Sequence, residues 1–152
     1  MKINIFLNDL VISILVLFCL GLIGCTGKEL PTDLPRLYPC KVRIENENDK
    51  QPVAKAVVIF SPQQGKWSAM GETDENGNLL LKTNGIYTGV PEGKYKVLVS
   101  KLQIDPIDAT KELTENNMKV IPLIDPLFGD IDKTPLEFEV KNTNNIVTFQ
   151  VR

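Results

Sequence analysis

The sequence predicts an all-β fold, an antiparallel β-sandwich of about seven short strands that is prealbumin-like or immunoglobulin-like. Three observations predict it. Short β-prone segments alternate apolar and polar residues with a period of two, which gives each strand one buried face and one wet face. Turn-forming residues separate these segments at spacings typical of a two-sheet sandwich. The pair Asn76-Gly77 is the strongest short-range signal for a β-hairpin.

Residues 1–24 have the layout of a secretory signal peptide. Lys2 supplies a positive start, residues 10–24 are uncharged and largely apolar, and a small residue precedes Cys25. A transmembrane anchor is one alternative, because the uncharged run continues to residue 27 and reaches the lower limit for spanning a bilayer. Export as a soluble protein after cleavage of the signal peptide is another alternative.

The tetrad Leu22-Ile23-Gly24-Cys25 resembles the lipobox of bacterial lipoproteins, although Ile23 is bulkier than the usual residue there. The resemblance implies lipid attachment to Cys25 and cleavage just before it. We therefore expect a lipid anchor at Cys25 that holds the protein in the bacterial cell envelope. Thr26 is not acidic, which favours the outer membrane over the inner one.

The remaining chain is predicted to contain a tether and one domain. Residues 25–39 include Pro31, Pro35 and Pro39, which exclude a helix or a central strand and indicate an extended tether. Residues 40–152 suffice for one β-sandwich domain and not for two. Cys40 has no expected disulfide partner, and we predict that it is buried near the first strand.

The strands are predicted from period-two alternation and from turn signals. Residues 40–44 form the first strand, and residues 55–61 form a buried central strand because they are apolar and lie between Pro52 and Pro62. Residues 67–73 and 78–82 are predicted to pair as a hairpin around Asn76-Gly77. The next strand buries Tyr95, Val97 and Val99.

The last two strands are predicted to form a terminal hairpin, with apolar positions at Leu136, Phe138, Val140, Val147, Phe149 and Val151. Phe60, Val97, Phe138 and Phe149 are expected in the shared core. Residues 102–131 show a weaker pattern that three X-Pro pairs interrupt. We predict a long loop there, with a helical turn or two at 109–118, and either a functional role or a mobile flap.

Several motifs resemble the carboxypeptidase-regulatory-like, transthyretin-like domains, and most of all the small lipid-anchored bacterial versions. They are Phe60-Ser61-Pro62, the turn at 73–78, Gly-Val-Pro-Glu-Gly-Lys-Tyr-Lys-Val at 89–97 and Thr-Pro-Leu-Glu-Phe-Glu-Val at 134–140. The resemblance implies a prealbumin-type sandwich over residues 40–152. It implies hardly anything about activity, because these motifs are turns and core positions.

The chain contains no histidine, which excludes Ser-His-Asp and Cys-His catalysis and removes the commonest zinc and iron ligand. We therefore expect no enzymatic activity, no catalytic residue, no metal and no cofactor. Ser68 and Lys66 are two residues apart, but a polar strand face is favoured over a catalytic dyad. A hydrolase of unfamiliar type remains an alternative function.

The net charge is −2, from 17 basic and 19 acidic residues, and no basic patch indicates a nucleic-acid partner. The candidate binding residues are Trp67, Asp105, Asp108 and Phe128. Trp67 is a candidate for stacking on sugars. The loop residues suit a protein surface or a ligand bridged by calcium.

The leading functional hypothesis is a lipid-anchored envelope β-sandwich that acts as a non-enzymatic binding or assembly module. Its expected partners are the membrane, through the lipid anchor, and an envelope protein or glycan. A carbohydrate-binding accessory lipoprotein is the second hypothesis.

Overall fold

A computed structural model describes residues 31–152 except 111 and 113. Residues Pro35–Arg152 form one compact unit. Of the N-terminal unit, Met1–Leu34, the described part is a turn in which the Leu34 amide donates to the Pro31 carbonyl at 3.0 Å. The predicted signal peptide and the lipidation site Cys25 lie outside the described residues. No helix in the described ranges is long and apolar enough to cross a membrane.

The fold is an all-β sandwich, as predicted. Its elements in chain order are β1 (Leu37–Tyr38), β2 (Cys40–Asn46), β3 (Val57–Pro62), β4 (Ala69–Glu72), β5 (Asn78–Leu80), β6 (Lys82–Thr83), β7 (Tyr87–Thr88), β8 (Val90–Pro91), β9 (Gly93–Ser100), β10 (Leu102–Pro106), β11 (Met118–Pro122), β12 (Glu137–Val140) and β13 (Asn145–Val151). Short 3₁₀ helices lie at Glu115–Asn117 and Pro126–Gly129.

The two main sheets have the strand orders β12-β9-β3-β4-β6-β7 and β13-β2-β5. Two smaller sheets pair β1 with β8 and β10 with β11. β3 lies between β9 and β4, which confirms that this apolar, β-branched segment is a central strand. Leu37 and Tyr38, which belong to the segment predicted as the tether, pair with Pro91 and Val90.

The core lies between the two main sheets. The Phe60 ring, on β3, has its centroid 6.2 Å from that of Phe149, on β13 of the opposite sheet. Phe60 also lies 5.8 Å from Tyr95 and 5.9 Å from Phe138. Phe60, Val97 and Phe149 are buried and Phe138 is half-buried, which confirms the predicted core. Cys40 is fully buried as predicted.

The predicted hairpin around Asn76-Gly77 forms only in part. The turn is present and Met70 pairs with Lys82, but Asn78–Leu80 does not pair with β4. Asp74 Oδ1 accepts from the amides of Asn76 and Asn78, and of the Asn-Gly pair only Gly77 has a positive φ, +73°. The turn carries the chain from one sheet to the other. β4 already pairs with β3 and β6, so β5 pairs instead with the free side of β2.

The predicted terminal hairpin is wrong. β12 pairs with β9, whereas β13 pairs with β2, and that second pair is parallel. Asn145 explains the change of sheet, because its side chain donates to the carbonyls of Lys141 and Thr143 at 3.0 and 2.8 Å. Its backbone amide donates to the Pro39 carbonyl at 2.9 Å, which starts β13 beside β2.

Residues 102–131 are not the long loop that the sequence predicted. β10 and β11 pair along five residues each, and a single 3₁₀ turn replaces the expected helical turns at 109–118. The 3₁₀ helix Pro126–Gly129 then packs near β9. The interruptions by proline hid a regular hairpin, because Pro106 and Pro122 stand at strand ends where a missing N–H costs nothing.

Candidate interaction surface

The hairpin of β10 and β11, from Leu102 to Pro122, is here called the ribbon. Residues that are directly opposite in an antiparallel pair project to the same face. The pairs Leu102 with Pro122, Ile104 with Val120 and Pro106 with Met118 therefore form one face, and all six residues are apolar. The other face carries Gln103 with Ile121 and Asp105 with Lys119.

The apolar face of the ribbon is largely open to solvent. The exposed fractions are 58% for Leu102, 51% for Ile104 and 46% for Val120. A two-stranded hairpin gains little stability alone in water, and contiguous exposed apolar surface on a soluble domain marks interaction sites. The ribbon is thus the strongest candidate binding surface in the described part of the chain.

The tip of the ribbon is tied down by Asn117, which is buried. Its Oδ1 accepts from the Asp108 amide at 2.8 Å, and its Nδ2 donates to the carbonyls of Asp108 and Glu112 at 3.1 and 3.0 Å. At the base, the Leu123 amide donates to the Lys101 carbonyl at 2.8 Å. These bonds hold the two strands together at both ends of their pairing.

The outer edges of the ribbon are poor sites for adding a strand. The bonds from Leu123 to Lys101 and from Ile107 to Asn117 set the hydrogen-bonding phase, so the even-numbered residues point their backbone groups away from the partner strand. Pro106 and Pro122 occupy two of these outward positions and have no N–H to donate. Binding is therefore expected on the face of the ribbon rather than along its edges.

The acidic candidates on the ribbon have local partners. Both carboxylate oxygens of Asp105 accept from Gln103 Nε2, at 2.9 and 3.0 Å. Asp108 Oδ1 accepts from the amide and the hydroxyl of Thr110, at 3.0 and 2.7 Å. Among the described residues, no group of three or more Cys, Asp and Glu side chains could hold a metal ion.

Phe128 lies in the core and not on a binding surface. It sits in the 3₁₀ helix Pro126–Gly129 and is only 6% exposed. Asp125 caps this helix by accepting from the Leu127 amide at 3.0 Å. Asp125 also forms an ion pair with Arg152 at 3.3 Å, so its role is structural.

Trp67 precedes β4 and is half-buried. The Lys66 ammonium lies 4.9 Å from the centroid of its ring, a cation–π geometry that occupies one face of the indole. The structure does not bring Trp67 together with the ribbon candidates into one described pocket.

A second surface, which the sequence analysis missed, is the outer face of the three-stranded sheet. It forms a groove of about 570 Å³ whose lining includes Lys41, Arg43, Leu80 and Ile146. Asp74 is its one carboxylate, and this oxygen donor already serves the turn at Gly77. The groove therefore does not present the converging carboxylates that the hydrolase alternative requires.

Cys40 is not placed to act as a nucleophile. Burial raises the pKa of its thiol from 9.0 to about 12, and the side chain is fully buried. A nucleophilic cysteine needs an accessible thiolate. The thiol instead fills space in the core as a small apolar group.

The described residues thus define a β-sandwich domain that carries an exposed apolar ribbon. No protein-family model matches the chain, and no curated protein matches it. The resemblance to transthyretin-like domains therefore stays a prediction at the level of the family.

Among solved structures, the chain is similar to the major pilin subunit of Bacillus cereus, with 15% identity and a TM-score of 0.46 over 78% of this chain and 31% of the pilin chain. It is also similar to a 9R-lipoxygenase from Cyanothece PCC8801, with 12% identity and a TM-score of 0.39 over 81% of this chain and 18% of the other. The chain spans less than a third of either structure.

Proposed function

We propose that this protein is a lipid-anchored module of the bacterial cell envelope that binds another envelope protein through the apolar face of the ribbon. The lipobox-like tetrad ending at Cys25 supports the anchor. The single observation that carries the binding role is the exposed face formed by Leu102, Ile104 and Val120 with their neighbours. No catalytic step is part of the proposal.

The chemistry of this face favours a protein partner over a glycan. Its side chains are aliphatic residues, two prolines and one methionine, and none is aromatic. Sugars are commonly held by aromatic stacking, whereas aliphatic patches gain affinity by excluding water against another apolar surface. Trp67, the aromatic candidate, is half-buried and contacts Lys66, so the carbohydrate alternative has weaker support.

The face is also bounded by charge. The opposite side of the ribbon pairs Asp105 with Lys119, which keeps that side in water and gives the ribbon a defined binding face. Leu102, Ile104 and Val120 are each about half exposed, so a partner that covered them would gain about half of the 1.5–3 kcal/mol that full burial of such a side chain contributes. Contacts around this face would have to offset the rest of the cost of association.

Site-specific photo-crosslinking in living cells tests the proposal. A photoreactive amino acid at Ile104 or Val120, on the apolar face, should yield one discrete adduct, and mass spectrometry should identify the same envelope protein in both. The matched control places the same amino acid at Gln103 or Lys119, on the opposite face. There we expect the adduct to be at least tenfold weaker.

A second variant links the adduct to the apolar surface. Leu102→Asp should abolish the adduct formed from Ile104, because it places a charge in the apolar contact, while the melting temperature stays within a few degrees of wild type. Equal crosslinking from both faces, or an adduct that survives Leu102→Asp, would contradict the proposal. A glycan adduct formed from Trp67 would favour the carbohydrate alternative.

A further inference from the structure

The strand β13 lies at the margin of its sheet, with β2 on one side only. Two hydrogen bonds bracket its parallel ladder. The Asn145 amide donates to the Pro39 carbonyl at 2.9 Å, and the Glu47 amide donates to the Val151 carbonyl at 2.7 Å. Alternate residues of a strand direct their backbone N–H and C=O groups to the same neighbouring strand, so the odd-numbered residues of β13 direct theirs to β2. Ile146, Thr148 and Gln150 point their backbone groups to the open side.

This open edge differs from the other sheet edges in the described residues. β12 carries Glu137 and Glu139, and the ribbon edges end in proline. β5 is three residues long, and β1, β7 and β8 are two residues long each. Charge, shortness and proline are the devices by which proteins discourage strands from pairing at an edge. The seven residues of β13 contain no charge, no proline and no glycine. Ile146 on this strand is 77% exposed.

The open edge has a defined length. At one end, the Asp125 amide donates to the Arg152 carbonyl at 2.7 Å, which occupies the next outward position after Gln150. At the other end, the Asn145 side chain holds the turn before the strand. Three residues with six outward backbone groups remain between these points. In the described part of the chain, no backbone hydrogen bond reaches these groups.

We propose that β13 pairs with β13 of a second copy of this chain, antiparallel about a two-fold axis at Thr148. The open edge is symmetric about Thr148, so it is complementary to itself under such an axis. Thr148 then opposes Thr148 of the second copy, and Ile146 opposes Gln150. All six outward groups of each copy bond across the interface, and the two three-stranded sheets become one of six strands.

The charges near this edge allow the pairing. The strand itself is uncharged, so no like charges oppose each other across the axis. Lys41 and Arg43 on β2 stand beside Ile146 and Thr148, at least three strand spacings or roughly 14 Å from their copies across the axis. The Lys50 ammonium donates to Gln150 Oε1 at 2.9 Å. The two copies of Gln150 lie four residues apart along the paired strands, about 14 Å at 3.4 Å per residue. That separation exceeds the Debye length of about 10 Å at 0.1 M salt.

An interface made by one strand edge is small, so we expect a weak dimer whose population rises with protein concentration. Attachment to a membrane would favour it, because a shared surface raises the effective concentration of the two copies. A partner protein on the ribbon and a second copy on β13 would occupy different strands.

Disulfide trapping in the full chain tests the register directly. Opposed residues of a hydrogen-bonded antiparallel pair have Cα atoms about 5.5 Å apart, within the range that a disulfide spans. Thr148→Cys should therefore form a dimer linked from Cys to Cys at position 148 under mild oxidation. Thr88→Cys, an exposed threonine on β7, is the matched control and should crosslink at least tenfold more slowly. Peptide mass spectrometry distinguishes these links from any link through Cys25.

A mixture of two variants checks the axis. Ile146→Cys mixed with Gln150→Cys should crosslink to each other, whereas Gln150→Cys alone should not. Thr148→Lys should weaken the dimer at least tenfold in sedimentation velocity, because two lysines would oppose each other across the axis. The melting temperature should not change, because the side chain of residue 148 is exposed. Crosslinking of Thr148→Cys no faster than of Thr88→Cys would overturn the proposal, as would links from 150 to 150 that match those from 146 to 150.

Discussion

The carbonyl oxygen of Ile44 lies 2.6 Å from the position that a Cβ at Gly77 would occupy, and the Ile44 amide donates to the Gly77 carbonyl at 2.9 Å. The crossover turn between the sheets therefore presses directly against β2. Gly77 also has φ +73°, a conformation that side chains disfavour. Both features require glycine at this position.

Gly77→Ala should destabilise the domain by about 2 kcal/mol or more, through backbone strain and through contact with Ile44. Gly65→Ala is the matched control, because Gly65 has φ +97° with no atom within 4 Å of the added Cβ. It should lose only the strain, about 1 kcal/mol. Urea unfolding measures both. Equal losses would show that the close approach at Ile44 contributes nothing.

Phe60 is the centre of the aromatic core, and its truncation should be among the most costly. Phe60→Ala should lower the free energy of unfolding by about 3–5 kcal/mol, since the ring is fully buried. Phe138 is half-buried, so Phe138→Ala should cost less. Thermal melts of the two variants test this order. A Phe60→Ala protein that melted within two degrees of wild type would contradict the packing.

Stability should fall at alkaline pH because of two buried acids. Burial raises the pKa of Cys40 from 9.0 to about 12, and burial together with the nearby Cys40 raises the pKa of Tyr95 from 10.0 to about 12. At about pH 7 both groups are protonated in the folded and unfolded states. Between pH 9 and 12 the unfolded chain releases protons that the folded chain keeps, so the unfolding free energy decreases.

Cys40→Ala separates the two contributions. Each group lowers the unfolding free energy by at most about 1.4 kcal/mol per pH unit in this window. Urea unfolding at pH 8 and pH 10.5, with reductant present, should show a smaller loss for Cys40→Ala than for wild type. If both proteins lost the same stability, the Cys40 thiol would have to be accessible to ionisation in the folded state.

Lipidation at Cys25 stays a prediction, because this residue lies outside the described part. Mass spectrometry of the protein from bacterial membranes should find Cys25 as the first residue with attached acyl chains, each buried methylene contributing about 0.8 kcal/mol. Cys25→Ala should prevent attachment of the acyl chains. The protein should then either keep its uncleaved signal peptide or no longer be anchored by lipid. An unmodified Cys25, or a retained residue 1, would contradict the lipoprotein hypothesis.

The candidate site was only partly visible in the sequence. The sequence also predicts a functional role for residues 102–131, which stays a prediction, and Ile104 is exposed there. Leu102, Ile104 and Pro106 alternate with polar residues, but the proline pairs in this segment predict a loop, because proline usually interrupts regular structure. The sequence predicts Phe128 as an exposed binding residue, whereas the structure buries it. Its burial depends on the 3₁₀ helix that Asp125 caps, which no periodicity indicates.

What the sequence by itself determined is the main strands of the sandwich, without those of the ribbon, and the face that each one buries. Tyr95, Val97 and Val99 lie inside as their alternation predicts, since side chains of a strand point alternately to its two faces. Only the tertiary structure decided which strands pair. β13 pairs with the distant β2 and not with its sequence neighbour β12. β5 also pairs with β2 and not with β4. Alternation is a local property, whereas pairing is settled by competition among edges that are far apart in the chain.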